Sequence, residues 1–254
     1  MERRKALLPL DDLLVRIPET RPALDFREAI LRSGLTLIAE FKRASPSKGD
    51  IFPDADPETV VRGYETGGAR AISVLTDEKY FGGSDTDLQA VRQAVDLPVL
   101  RKDFVVDSYQ IHEARYIGAD AVLLIVAALT DTELTGLLTV TRDVGVSAIV
   151  ETHSEREVVR AVEAGADIIG INNRNLHTFE TTIETTVQLR DRVPIGTAVV
   201  SESGIFTRED TRHLEQVGVD AILVGEALMR ASLRNDASVE GDTLAGEVRK
   251  IIGD

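Results

Sequence analysis

Cysteine is absent from this chain of 254 residues. Its absence excludes a disulfide framework, a thiolate nucleophile and any metal site built on cysteine. The histidines are scattered along the sequence and form no motif with metal-ligand spacing, so we expect no metal centre. The four histidines are His112, His153, His177 and His213.

Long apolar runs are also missing. No stretch approaches the roughly 20 consecutive apolar residues that a membrane-spanning helix requires. The N-terminal segment "MERRKALLPLDDLLVRIPET" carries acidic residues and prolines where a secretion signal would be apolar. These absences predict a soluble, cytoplasmic protein without a membrane partner. With 43% hydrophobic residues, the chain can form one large domain with a substantial core, or two modest ones.

Positive charge is scarce. The chain has 29 basic and 43 acidic residues and a net charge of −14, which argues against binding to nucleic acid because phosphate backbones require a basic surface. Arginines outnumber lysines by 23 to 6. Such an acidic surface suits high salt, where screening reduces self-repulsion, although compositional drift of an ordinary acidic enzyme is the alternative. The scarcity of lysine makes each retained lysine more informative.

Five segments of the sequence share one plan. Each has a glycine suited to a helix C-terminus, then two or three linking residues, then a short run rich in valine and isoleucine. This plan indicates a helix-to-strand junction that recurs along the chain. The segments are 67–76, 117–126, 143–152, 164–173 and 217–226.

The spacing of these junctions predicts the fold. Their glycines are separated by 50, 27, 20 and 53 residues, so each long gap has room for another strand. Eight strands alternating with helical patterns predict a (β/α)₈ TIM barrel in a single domain, with residues 1–34 as a helical extension packed on it. An open doubly wound sheet is the alternative, but no GxGxxG turn follows the first strand. The three added strands are 35–42, 97–104 and 196–203.

Polar residues terminate five of the eight predicted strands. In this fold, chemistry is located at the carboxyl ends of the strands. Glu40 and Lys42 share one face of the first strand because side chains alternate with period two. A single charged strand end is commonly an exposed ion-pair partner, whereas five converging ends indicate a functional site. The other polar ends are Lys102, Glu151, Asn172 with Arg174 beyond it, and Glu202 with Ser203.

The last two strands run into glycine turns that predict an anion site. Gly204 and Gly225 each precede a helical segment, where backbone N–H groups and the helix dipole favour an anion. We expect a phosphate between the Ser203–Gly204 and Gly225–Glu226 turns, within reach of Ser45.

Several blocks of the sequence resemble the indole-3-glycerol phosphate synthase family. They occur in the family's order, on seven of the eight strand ends, and the similarity covers essentially the whole chain. It implies that 1-(2-carboxyphenylamino)-1-deoxyribulose 5-phosphate closes to indole-3-glycerol phosphate with loss of CO₂ and water, in tryptophan biosynthesis, without an organic cofactor or a metal. The blocks are "LIAEFKRASPSKG", "KYFGGS", "LRKDFVVD", "VETH", "GINNRNL", "VSESGI" and "VGEALM".

The resemblance also implies roles for individual residues. Lys102 matches the family's general acid, Glu151 its acid/base carboxylate and Lys42 the cation near the substrate carboxylate. Some members carry serine where this chain has Glu226, and the role of the second amide, Asn173, is left open. The supporting catalytic positions are Glu40, Asn172, Glu202 and Ser203, and the substrate-binding positions are Ser45, Pro46, Phe81, Arg174, Gly204, Gly225 and Glu226.

The expected chemistry needs proton transfer at two steps. We expect crowding by Lys42 and apolar neighbours to lower the pKa of Lys102 toward the acid/base range, and Lys102 and Glu151 to share the proton transfers. Phosphoribosylanthranilate isomerase is one alternative, although that family relies on a cysteine. A non-catalytic barrel that binds a sugar phosphate is another. The expected partner is a small sugar-phosphate substrate of a monomer that associates at most weakly with enzymes of the same pathway.

Overall fold

A computed structural model describes residues 2–175, 178–234 and 241–253, so His177 lies outside the described residues. Eight parallel strands form a closed barrel. The strands are β1 Thr36–Phe41, β2 Ala71–Leu75, β3 Val99–Lys102, β4 Ala121–Ile125, β5 Ser147–Thr152, β6 Ile168–Asn172, β7 Ala198–Glu202 and β8 Ala221–Val224. Their order around the barrel is β1-β8-β7-β6-β5-β4-β3-β2, with β2 pairing again with β1. This confirms the predicted (β/α)₈ barrel and shows that the open-sheet alternative is wrong.

The first strand closes the barrel. On one edge, β1 pairs with β8 from Thr36↔Ala221 to Ala39↔Val224. On its other edge, it pairs with β2 from Ile38↔Ala71 to Phe41↔Val74. Because both edges of β1 are paired, the first and last β/α units of the chain are neighbours.

Helices cover the outside of the barrel. The five aligned glycines all have positive φ, between 77° and 103°, as their predicted position after a helix requires. The helices are α1 Glu2–Leu7, α2 Leu10–Arg16, α3 Phe26–Ile30, α4 Pro57–Thr66, α5 Glu78–Phe81, α6 Asp85–Ala94, α7 Ser108–Ile117, α8 Asp131–Val144, α9 Glu155–Glu163, α10 Glu184–Leu189, α11 Arg208–Gln216, α12 Glu226–Arg234 and α13 Gly241–Ile252. Three 3₁₀ turns, Ile17–Glu19, Val126–Ala128 and Arg190–Arg192, and a small hairpin of Ala44–Ser45 with Gly49–Asp50 complete the described elements.

The N-terminal extension packs on the barrel, as predicted. Phe26 and Ile30 of α3 are fully buried in one cluster with inward-facing strand residues such as Ile38 and Leu100, so α3 closes the amino-terminal end of the barrel. Leu13 of α2 is also fully buried. No helix in the described ranges is long and apolar enough to cross a membrane.

Candidate active site

A cavity of about 460 Å³ opens at the carboxyl ends of the strands. Every predicted site residue lines it except Glu202, which is fully buried beneath its floor. The predicted residues that line the cavity are Glu40, Lys42, Ser45, Pro46, Phe81, Lys102, Glu151, Asn172, Arg174, Ser203, Gly204, Gly225 and Glu226. The closed barrel therefore brings together residues that are up to 186 positions apart in the sequence, from Glu40 on β1 to Glu226 at the start of α12.

Two lysines at the floor of the cavity are paired with Glu40 and, beneath the floor, with Glu202. Lys102 Nζ lies 2.9 Å from Glu202 Oε2, although β3 and β7 stand on opposite sides of the barrel. The same Nζ lies 3.1 Å from Glu40 Oε2, and Lys42 Nζ lies 2.7 Å from Glu40 Oε1. Glu40 therefore joins both lysines, and the charges are buried as pairs.

Two glycines make room for these carboxylates. A Cβ atom on Gly170 of β6 would overlap Glu202 Oε1, and one on Gly225 would overlap Glu40 Oε1. Both positions face inward, where any larger side chain would displace a charged group from its partner. The sequence GIN of β6 thus supplies space below the amide of Asn172.

Lys102 and Glu40 stabilise each other's charge. Burial lowers the pKa of Lys102, but the carboxylates of Glu202, Glu40 and Glu151 outweigh burial and raise it above its ordinary value. The expectation of a lowered Lys102 pKa is therefore wrong, because three carboxylates surround this ammonium. Burial raises the pKa of Glu40, but Lys102 and Lys42 outweigh it and lower this pKa to about 2.

The pKa of Glu151 is raised, whereas that of Glu40 is lowered. Burial and the neighbouring Glu202 raise the pKa of Glu151 to about 7, against the opposing effects of Lys102, His153 and Asn172. Two carboxylates in one cavity thus differ in state near neutrality: Glu40 is ionised and Glu151 exchanges its proton. Such separation is typical of an acid/base site. The described residues contain no group of three or more side chains that could hold a metal ion.

An apolar wall faces this charged floor. Leu123 and Ile125 of β4 form this wall, Leu223 of β8 lines the cavity on the opposite side, and Phe104, Phe179 and Phe206 lie at its rim. The sequence analysis assigns no role to these residues because its argument from strand ends considers only polar side chains. The period-two alternation of β4, which places Leu123 and Ile125 inward, carried the available signal.

The predicted anion site has a strained backbone. Ser203 and Gly204 adopt φ values of 67° and 75°, and the first of these is uncommon for a residue with a side chain. Ser45 Oγ is buried without a hydrogen-bond partner among the described residues. The Glu226 carboxylate accepts a hydrogen bond of 2.9 Å from Arg230 Nε, so an arginine compensates the negative charge at the start of α12.

Asn173 does not line the cavity but fixes the loop of the predicted anion site. Its Nδ2 donates hydrogen bonds of 3.0 Å to Ser201 Oγ and to the Ser203 carbonyl. Its Oδ1 accepts from Thr186 N and Thr186 Oγ1 at 3.1 and 2.8 Å. With its side chain buried and fully bonded, Asn173 holds the left-handed turn at Ser203.

Comparisons of the sequence identify relatives along nearly the whole chain. The family model described as indole-3-glycerol phosphate synthase matches residues 1–239. Indole-3-glycerol phosphate synthase 2 of Streptomyces coelicolor is 52% identical over 229 residues, covering 90% of this chain and 89% of the relative. Indole-3-glycerol phosphate synthase of Lachnoclostridium phytofermentans is 50% identical over 213 residues, covering 84% and 79%.

Solved structures of lower identity share the fold. Thiamine phosphate pyrophosphorylase from Pyrococcus furiosus aligns with a TM-score of 0.60 at 20% identity, covering 86% of this chain and 96% of the other. A chain of the tryptophan synthase complex from the same organism aligns with a TM-score of 0.63 at 13% identity, covering 86% and 98%. At these identities the similarity concerns the barrel alone.

Proposed function

The chain belongs to the indole-3-glycerol phosphate synthase family, and on that premise we propose that it is a carboxy-lyase that converts 1-(2-carboxyphenylamino)-1-deoxyribulose 5-phosphate to indole-3-glycerol phosphate. The observation that carries this proposal is the pair of lysines on a carboxylate floor opposite an apolar wall. An anionic aromatic sugar phosphate needs cations, an apolar surface and an anion cradle, and the cavity offers all three.

The substrate binds with its two ends on different sides of the cavity. The phosphate occupies the cradle of the Ser203–Gly204 and Gly225–Glu226 turns, where Ser45 Oγ supplies a hydrogen bond. The aromatic ring lies on Leu123 and Ile125. The carboxylate of the ring faces the Lys42 ammonium, which binds this anion before the reaction begins.

Ring closure and decarboxylation follow from this placement. The aromatic carbon that bears the carboxylate attacks the ketone carbon, and Lys102 donates a proton to the ketone oxygen as the carbon–carbon bond forms. An alkoxide is a strong base, so Lys102 can donate even with its raised pKa, and its carboxylate neighbours keep it protonated beforehand. CO₂ then leaves, and the electron pair of the broken bond restores the aromatic ring.

Dehydration completes the reaction. Protonated Glu151 gives its proton to the hydroxyl group, which leaves as water. Neutral Lys102 takes a proton from the adjacent methylene carbon, which forms the indole double bond and restores the ammonium. Glu151 suits this step because its pKa of about 7 leaves it partly protonated at neutral pH. Glu40, Glu202 and Asn172 orient the two acids.

We assign the finer features of the biology on the same basis. The chain works as a single-domain monomer in the cytoplasm, because all strand ends of the cavity come from one barrel and the substrate is a small metabolite of biosynthesis. Light scattering of the active protein, with activity measured over a dilution series, tests the monomer. Specific activity that falls on dilution would contradict it.

The decisive experiment measures indole fluorescence. Purified protein is mixed with the carboxyphenylamino ribulose phosphate, and we expect product fluorescence to rise with release of CO₂. Lys102→Met is the matched control, since it keeps the size of the side chain and removes its proton. Consumption of phosphoribosylanthranilate, or binding of the substrate without turnover, would instead support the isomerase or the non-catalytic barrel.

A further inference from the structure

The proposed reaction consumes one proton in each turnover. The substrate loses a carboxylate as neutral CO₂, and Lys102 both gives and regains a proton, so the proton that leaves with the hydroxyl group comes from Glu151. Glu151 must therefore be reprotonated before the next cycle. Its side chain is only 5% exposed and forms part of the cavity floor, so bulk water reaches it poorly while a ligand is bound.

A histidine connects Glu151 with the outside of the barrel. His153 follows β5, and its Nε2 lies 3.4 Å from Glu151 Oε1. Its Nδ1 lies 3.4 Å from Oε2 of Glu157, the third residue of α9. The backbone N–H of His153 donates to the same Oε2 at 2.7 Å, which fixes the Glu157 carboxylate beside the ring. The imidazole is thus held between two carboxylates, one at each nitrogen.

Exposure increases along this row of side chains. The exposed fraction rises from 5% at Glu151 to 12% at His153 and 19% at Glu157. His153 Nε2 itself is buried and makes no hydrogen bond within the described residues, so it is directed at Glu151 without being committed to a structural bond. His153 does not line the cavity, so it lies outside the proposed substrate site.

We propose that His153 is a positioning residue that returns a proton to Glu151 after each turnover, with Glu157 holding the imidazole in place. This inference rests on the proposed function. The Nε2–H bond of the imidazolium breaks and an O–H bond forms at Oε1 of Glu151, which leaves a neutral ring protonated at Nδ1. Nε2 then takes a proton from water, which restores the imidazolium and leaves hydroxide in the solvent. No oxidant, reductant or other co-reactant is needed.

The charges around the ring suit this transfer. Burial lowers the pKa of His153, but the hydrogen bond with Glu157 and the charges of Glu151, Glu157 and Glu202 outweigh it and raise this pKa above the usual histidine value. Burial raises the pKa of Glu151 to about 7, with Lys102 acting against it from β3. The surrounding carboxylates thus favour the protonated imidazole, and the carboxylate that it faces can accept a proton.

The test compares His153→Asn with the wild-type protein in the fluorescence assay. We expect kcat to fall by about tenfold, less than the loss of a direct acid because water can replace the relay, while KM stays within about twofold. The solvent deuterium isotope effect on kcat should increase, since proton return becomes slower. The imidazolium lowers the pKa of Glu151, so its removal should move the Glu151 limb of the pH–rate profile to higher pH. Added imidazole should restore part of the rate.

Two further variants separate a relay from a structural role. Glu157→Gln keeps the imidazole but weakens the contacts that hold it in place. We expect it to lower kcat less than His153→Asn does. His213→Asn on α11, away from the cavity, should leave the rate and isotope effect unchanged. If His153→Asn had the wild-type kcat, pH–rate profile and isotope effect, the relay would be refuted while the proposed function stood. A slower variant that imidazole does not rescue would refute the relay in the same way. A wild-type protein without turnover would refute the proposed function instead.

Discussion

Arg101 and Lys102 are adjacent on β3, yet they belong to two different charged clusters. Lys102 points into the barrel and joins the carboxylates of Glu40 and Glu202. Arg101 points outward, is 1% exposed, and pairs with Asp85 and Glu113, each at 2.9 Å. Period-two alternation alone sends the two cations to opposite faces of one strand.

The two clusters differ in how completely their polar atoms are bonded. All three guanidinium nitrogens of Arg101 have partners: Nε donates to Thr76 Oγ1, and Nη1 and Nη2 reach Glu113 and Asp85. Inside the barrel, Glu202 Oε1 is buried without a hydrogen bond from any described residue.

The outer cluster also anchors the N-terminal extension. Arg4 Nη1 of α1 lies 2.9 Å from Asp85 Oδ2 and 2.6 Å from Glu113 Oε2, so these two carboxylates are shared by two arginines. Arginine keeps its charge under all ordinary conditions, whereas Glu151 in the inner cluster titrates near neutrality. The comparison teaches that fully bonded, fixed charge joins parts of the fold, while the incompletely bonded, titrating charge lies in the cluster to which we assign the proposed chemistry.

The largest expected effect is on stability, in Arg101→Met. Removing this buried guanidinium leaves the carboxylates of Asp85 and Glu113 to the partly exposed guanidinium of Arg4, so we predict a loss of about 3–5 kcal/mol in the free energy of unfolding. Urea denaturation measures it, and kcat of the folded fraction should stay within about threefold of wild type. Arg70→Met, at an exposed arginine, serves as control. A stable but inactive Arg101→Met would break the distinction between the clusters.

The next largest effect is on catalysis, in Lys102→Met. Loss of the proton donor removes an interaction made mainly in the transition state, so we predict kcat lower by about 10²-fold or more with substrate binding largely kept. Steady-state kinetics and ligand titration measure the two quantities. Turnover near the wild-type value would rule out Lys102 as the acid and require a mechanism built on Glu151 or Lys42.

The variant Lys42→Met tests whether the two lysines of the inner cluster have different roles. Lys42 faces the substrate carboxylate in the proposed complex, so its loss should weaken ground-state binding and raise KM by about tenfold as well as lower kcat. The same kinetic series checks this outcome. If KM stayed at its wild-type value while kcat fell, Lys42 would act in the transition state only, like Lys102.

The smallest expected effect concerns the exposed charges. The net charge of −14 repels itself until salt screens it, so the midpoint of thermal unfolding should rise by about 2–4 °C between low and molar KCl. Buried pairs are screened less, so the loss of stability in Arg101→Met should persist in high salt. A flat or falling midpoint would favour drift as the source of the acidic composition.

The sequence predicts where the site residues lie better than it predicts which charges surround them. Glycine spacing and strand alternation placed the eight strands and directed Glu40, Lys102 and Glu151 to one rim, because these are local periodicities. The pKa of Lys102 was predicted in the wrong direction, because it depends on Glu202, which reaches it across the barrel from a strand 100 residues away.

Aromatic residues of the rim were missed for a related reason. Phe104, Phe179 and Phe206 follow strands in connecting segments whose direction no period determines. Asn173 shows the same limit, since its role follows from bonds to Ser203 and Thr186 that only the closed barrel provides.

Closure of the barrel at the β1–β8 seam has a consequence for synthesis of the protein. Glu40 fits into its place only beside Gly225, which leaves the ribosome 185 residues later. A nascent chain therefore cannot complete its charged floor before β8 and Gly225 have been translated. Contacts of such sequence separation form slowly, so enzymatic activity marks the last stage of folding rather than the formation of any single β/α unit.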